Sequence, residues 1–85
     1  MKGRRRPDNT LPWELEAGDY CFRGPSRFLW VCLPNGSGPA RLEEWDVTEH
    51  QDGTVTVSPS ILEKLADNKD GWHGYLERGI WREVG

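Results

Sequence analysis

Cys21, Cys32, His50 and His73 are the only thiols and imidazoles in the sequence. Nucleophilic catalysis by a Cys–His pair needs the two groups in contact and a third group to orient the imidazole. The spacing brings no such pair together, and both cysteines sit in apolar runs, Tyr20-Cys21-Phe22 and Phe28-Leu29-Trp30-Val31-Cys32-Leu33. The expectation is therefore two buried, inert thiols. The same four residues could close one tetrahedral zinc site. Each like pair stands ten or more positions apart, whereas finger ligands stand roughly two to five apart. If Cys21 and Cys32 lie on adjacent strands of a hairpin, they become diagonal neighbours on one face. No metal ligand and no cofactor is assigned; a zinc-stabilised module is the alternative.

Carboxylates are concentrated at Glu43, Glu44, Asp46, Glu49 and Asp52. A paired-carboxylate hydrolase needs two such groups in a cleft with divided pKa values. Along an alternating strand, Glu44, Asp46 and His50 instead project toward solvent, which discourages edge-to-edge pairing. Read functionally, Glu43, Glu44, Asp46 and Glu49 make an acidic patch for a basic surface on a partner protein.

The third constellation is aromatic and basic: Trp72, His73, Tyr75, Arg78, Trp81 and Arg82. Strand neighbours alternate, so His73 and Tyr75 share one face while Trp72, Gly74 and Leu76 share the other. One face packs inward; the opposite face displays rings beside arginine, the combination that stacks bases or holds anions. These six are the expected ligand-binding residues. An exposed tryptophan edge would equally suit a homodimer seam. No GxxxxGK, GxGxxG, GxSxG or HExxH motif occurs, and with so short a chain the expectation is a non-enzymatic protein.

The elements that must carry these groups are β-strands. Eighty-five residues with 35% hydrophobic content suffice for one domain with a single core. Five Trp, two Tyr and two Phe supply much of its buriable surface. Residues 1–12 are expected to be a flexible basic lead-in and residues 13–85 a single small β domain. Lys2, Arg4, Arg5 and Arg6 are four of the eleven basic residues; past residue 6 the other seven face all fourteen acidic ones, leaving that part of the chain at −7. Such a body repels a phosphate backbone, so nucleic acid is expected to contact the arginine tail at most. No apolar h-region follows the basic start and no long apolar run occurs; neither a signal peptide nor a membrane span is expected.

Turn signals at Gly24-Pro25-Ser26, Pro34-Asn35-Gly36, Asp52-Gly53 and Glu77-Arg78-Gly79 divide the body into hairpins. Gly79 suits the left-handed position of a three-residue loop. Ser58 with Pro59 and the Ser60/Glu63 pair look like helix-start signals. A short helix near 59–66 is therefore predicted, its stripe being Ile61, Leu62 and Leu65. The predicted fold is mostly β: an antiparallel meander or small open barrel of about five to six strands with that one helix.

The segments Asp52-Gly53-Thr54-Val55-Thr56-Val57-Ser58-Pro59-Ser60-Ile61 and Trp72-His73-Gly74-Tyr75-Leu76-Glu77-Arg78-Gly79-Ile80-Trp81 resemble small uncharacterised bacteriophage proteins, actinobacterial phages above all. More distantly, Trp45, Pro59-Ser60-Ile61, His73, Gly79 and Trp81 are similar to a cysteine-rich family of unknown function. That family's clustered cysteines are lacking here; only Cys32 lies near a matching place. The phage resemblance implies an accessory binding protein in the bacterial host cytoplasm. On this reading it acts in counter-defence, sequestering a nucleotide-like signal or occluding a host protein surface. The rival is a zinc-stabilised adaptor or a minor virion component.

Overall fold

Glycine-bearing turns set where the chain reverses. The computed structural model describes residues 1–64 and 70–84. Strand β1 is Arg4–Arg5, β2 Asp19–Arg23, β3 Phe28–Cys32 and β4 Pro39–Leu42. They form one four-stranded sheet in that order. Strands β5 (Asp46–Glu49), β6 (Val55–Lys64), β7 (Asp70–Glu77) and β8 (Ile80–Glu83) form a second, also in chain order. The protein is mostly β, as predicted, but the described residues form eight strands in two sheets that do not close into a barrel.

The β2–β3 and β5–β6 hairpins fall where the turn residues put them. In the second, the Asp52 carboxylate accepts from the Thr54 amide and hydroxyl at 2.9 and 2.6 Å, and Gly53 takes a φ of 87°. The β7–β8 loop is tighter than predicted. Glu77 pairs with Ile80, leaving only Arg78 and Gly79 between strands, at φ of 47° and 76°. Positive φ at both central residues is the type I′ arrangement, whose twist matches that of the flanking strands.

The predicted helix is a correction. Residues 59–64 continue β6 and pair with β7, with Ile61 opposite Gly74 and Leu62 opposite His73. Two turns of isolated helix are marginal in water, whereas pairing with β7 gives the backbone partners at Ile61, Leu62 and Lys64. Pro59, which has no N–H to donate, falls in the irregularity between Val57 and Ile61, where a bulge tolerates it. Leu65 and Ala66 lie outside the described residues. Among those described, the only helical turn is a 3₁₀ turn at Pro12–Glu14.

The lead-in contributes a strand to the first sheet. Arg4 and Arg5 pair in parallel with Asp19 and Tyr20. Just before them, Lys2 bridges to Ile80, and the Gly3 amide donates to the Gly79 carbonyl at 2.7 Å. Residues 2–5 thus stitch β8 of one sheet to β2 of the other. Period-two alternation sends Arg4 and Arg6 one way and Arg5 the other. Arg4 and Arg6 converge on Asp19, which is only 3% exposed. Its carboxylate accepts from Arg4 Nε and Nη2 (3.1 and 3.0 Å), Arg6 Nη1 (2.9 Å) and the Glu16 amide (3.0 Å). Arg5 reaches Glu49 at 2.6 Å, and Arg27 reaches the same carboxylate at 3.2 Å. Both guanidiniums also lie over the Phe22 ring, at 5.1 and 4.3 Å from its centroid. The three arginines of the lead-in are therefore fastenings, matched to acids of the body.

One apolar cluster spans both sheets. Tyr20, Phe22, Leu29, Val31 and Leu42 come from the first and Val55, Val57, Ile61, Trp72, Leu76 and Trp81 from the second. Glu63 adds a polar tie, accepting from Asn35 and from the Trp72 amide, each at 3.1 Å. On the outer face of the first sheet, Leu15 packs with Cys21, Cys32 and Trp30. This explains why the β3 run is apolar on both faces. The Pro12–Leu15 segment covers one end of that outer face and leaves the Arg23–Phe28 end open.

Candidate functional site

The aromatic–basic hairpin divides as alternation requires, and it divides the predicted ligand-binding set with it. Trp72 and Leu76 are buried, while Tyr75 is 40% exposed and His73 half-buried. Trp81 lies opposite Leu76 and is buried too. The two tryptophans meet edge-to-face, with ring centroids 5.4 Å apart and planes at 84°; such a pair adds about 0.5–1.5 kcal/mol beyond its burial. The Trp81 indole donates to the Gly18 carbonyl at 2.9 Å. Both tryptophans are almost wholly buried on the face opposite His73 and Tyr75, so the hairpin does not display the six residues together. Tyr75 and Arg82 do share the outer face, with the guanidinium 5.8 Å from the ring centroid. Arg82 is also paired with Glu77, and Arg78 sits in the turn.

The acidic set divides in the same way. Glu49 is held by Arg5 and Arg27, and Glu43 forms an ion pair with Arg41. Hydrogen bonds from Arg5 and then Arg27 keep the Glu49 carboxyl below the usual glutamate range. Glu44 and Asp46 remain as exposed acids. The four do not form one patch of free negative charge.

The imidazoles are each held by a hydroxyl: His50 Nε2 lies 2.7 Å from Thr56 Oγ1, and His73 Nε2 lies 3.0 Å from Ser60 Oγ. Both belong to the second sheet or its turn. Cys21 and Cys32 lie on β2 and β3, where Cys21 faces Trp30 and Cys32 is two residues further along. They are the predicted diagonal neighbours. Both are buried, and burial pushes both thiols above their ordinary pKa. Among the described residues no three His, Cys, Asp or Glu side chains cluster as metal ligands would.

The combination sought on the last hairpin occurs instead on the first sheet. Register places Arg23 opposite Phe28, Cys21 opposite Trp30 and Trp30 opposite Arg41. Because those positions share a face, arginine and aromatic side chains alternate across three strands like squares of a checkerboard. The Arg23 guanidinium lies 5.7 Å from the Trp30 ring centroid, and that of Arg41 lies 5.2 Å from Phe28. Together with Gly24, Pro25 and Ser26 these four side chains line an open cleft of about 240 Å³. Phe28 is 37% exposed there.

Arg23 is the unusual member. Its Nε is buried and has no hydrogen-bond partner, and among the described residues it makes no ion pair. Arg4, Arg5, Arg6, Arg27, Arg41 and Arg82 each meet a carboxylate; Arg23 shares its lack of an ion pair with Arg78 alone among the described arginines. A buried donor left unsatisfied costs about 1–3 kcal/mol, more when charged. A second depression, of about 190 Å³, is lined by Met1, Pro34, Trp72, Trp81 and Glu83. Its lining includes the Glu83 carboxylate and Met1, whose terminal ammonium already donates to the Trp81 carbonyl at 3.1 Å.

Sequence reading missed the cleft because its residues are spread over three strands and meet only through register. The signal that was available is the period-two spacing of Phe28 and Trp30, set between a turn and arginines at Arg23 and Arg41. No helix of the described structure is long and apolar enough to cross a membrane. The chain matches no protein-family model, no curated protein and no solved structure.

Proposed function

We propose that this chain is a non-enzymatic binding protein whose aromatic–arginine cleft takes a small anion carrying a flat ring, a mononucleotide or a ligand of similar chemistry. The observation that carries this reading is the Arg23 guanidinium, which makes no ion pair among the described residues and lies over Trp30 at the edge of an open cleft. A phosphate oxygen at that guanidinium would make a charge-assisted bond worth about 1.5–3 kcal/mol. A ring resting on Phe28 or on the guanidinium planes adds about 1–3 kcal/mol of stacking. The cleft volume is below the roughly 300–1,000 Å³ of pockets that enclose drug-sized ligands. One ring and one anionic group suit it. With one arginine and one stacked ring engaged, about 2.5–6 kcal/mol in all, the Kd falls between about 40 μM and 10 mM. Buried thiols and hydroxyl-bound imidazoles support binding over nucleophilic chemistry. The resemblance to phage proteins supports an accessory role in the cytoplasm of an infected bacterium, where taking up a nucleotide-like signal would blunt host defence.

Calorimetric titration with AMP, 3′,5′-cyclic AMP and the corresponding guanine nucleotides tests the reading. Saturable one-to-one binding that Arg23→Ala abolishes is expected. No heat from any of them at millimolar nucleotide would overturn it.

A further inference from the structure

Resting on that reading, we infer that Glu43 is a built-in competitor that sets the charge of the ligand the cleft accepts. Of the two arginines lining the cleft, Arg41 is already engaged, pairing with Glu43 while its guanidinium lies over Phe28. Arg23 has no such partner among the described residues. The two cations are therefore not equivalent. An incoming anion meets a free donor at Arg23 and a compensated one at Arg41.

A ligand with one phosphate group can place it at Arg23 and leave the Arg41–Glu43 pair intact. A polyphosphate that reaches further must either displace Glu43 from Arg41 or lie beside its carboxylate. Both are unfavourable, because the pair occupies the donors a second phosphate would need and like charges repel across a short distance. Specificity here comes from an unfavourable contact with the wrong ligand as much as from contacts with the right one. The chemical class is therefore a ring-bearing monophosphate with low charge, such as a cyclic mononucleotide, in preference to a nucleoside triphosphate. Glu43 and Arg41 are each about half exposed, so replacing either leaves the core packing untouched.

The test is parallel titration of 3′,5′-cyclic AMP and ATP into the wild-type chain, Glu43→Gln and the double variant Arg41→Gln/Glu43→Gln, at fixed ionic strength. The wild type is expected to favour the cyclic nucleotide. Glu43→Gln should raise ATP affinity about tenfold relative to cyclic AMP, the effect of one like charge roughly 6 Å away at an intermediate dielectric constant. The double variant, which removes the Arg41 cation as well, should lose the gain in ATP affinity seen with Glu43→Gln alone. An unchanged ratio in Glu43→Gln, with Arg23→Ala abolishing both ligands, overturns the role of Glu43 and leaves the cleft standing. Binding of neither nucleotide to the wild-type chain overturns the cleft and this inference with it.

Discussion

Replacing Asp19 with Asn should be among the most damaging single-atom changes available in this protein. The carboxylate is only 3% exposed and accepts four hydrogen bonds, three of them from Arg4 and Arg6. The amide keeps the volume but removes the charge and turns an N–H₂ toward two guanidiniums. Breaking a buried ion pair by removing one partner costs about 3–5 kcal/mol. Here the side chains of Arg4 and Arg6 are 58% and 24% exposed, so water recovers part of their solvation and about 2 kcal/mol is the appropriate figure. At about 4–8 °C per kcal/mol for a domain of this size, the melting temperature at pH 7 should fall by about 8–16 °C. The pH dependence has a definite sign. Burial pushes the Asp19 carboxyl up, but the bonds from Arg4, the Glu16 amide and Arg6 outweigh it and hold it below its ordinary value of 3.8. A lowered folded-state pKa stabilises the protein above that ordinary value, and the contribution is lost as pH falls through the folded value. The gap between wild type and Asp19→Asn should therefore be full at neutral pH and narrow in acid below about pH 4. Calorimetric melts from pH 7 down to pH 2 measure both. A loss under about 3 °C at pH 7, or a gap that does not narrow in acid, would refute the role given to the buried carboxylate.

Gly3→Ala tests the stitch between the sheets: a Cβ there would stand 2.9 Å from both the Gly18 carbonyl and the Trp81 indole nitrogen. Thermal melts should show a loss of about 1–3 kcal/mol, and an unchanged melting temperature would contradict that close approach. Arg78→Asn should raise stability by about 0.5–1 kcal/mol, because Asn-Gly suits a two-residue turn in which Arg78 now sits at a φ of 47°; a lower melting temperature would count against the type I′ turn. Cys21 and Cys32 are buried with raised pKa values, and only the thiolate attacks a disulfide reagent. Both should react with Ellman's reagent at pH 8 no faster than the chain unfolds, and immediate labelling of the folded protein would show them accessible.

The legible features were the local ones. Asp52-Gly53 and Arg78-Gly79 announce turns because positive φ is written into single residues. The alternation from Trp72 to Leu76 sorted the packing face from the displayed one without knowledge of any partner strand. The helix expected at 59–66 shows the limit of the same logic. Ser58, Pro59 and Glu63 carry genuine helix-start chemistry, but pairing with β7 decides the outcome, and that partner begins beyond residue 69. The pairing of the lead-in is hidden from the sequence for a related reason. Arg4, Arg5 and Arg6 were balanced by an acidic body in plain composition, yet their partners Asp19 and Glu49 lie 15 and 44 residues away. The cleft was the least legible, since Arg23, Phe28, Trp30 and Arg41 become neighbours only once two strand registers are fixed.

The decisive group is the Arg23 Nε–H, which should sense an anion bound at its guanidinium. In ¹H–¹⁵N spectra of the labelled chain, that group and the Trp30 indole N–H give separate signals, assignable with Arg23→Lys and Trp30→Phe. Titration with 3′,5′-cyclic AMP should move both together, saturably, while the Trp72 and Trp81 indole signals stay in place. If the Arg23 Nε–H signal does not respond, or if the perturbed indoles are those of Trp72 and Trp81, the cleft is not the binding site.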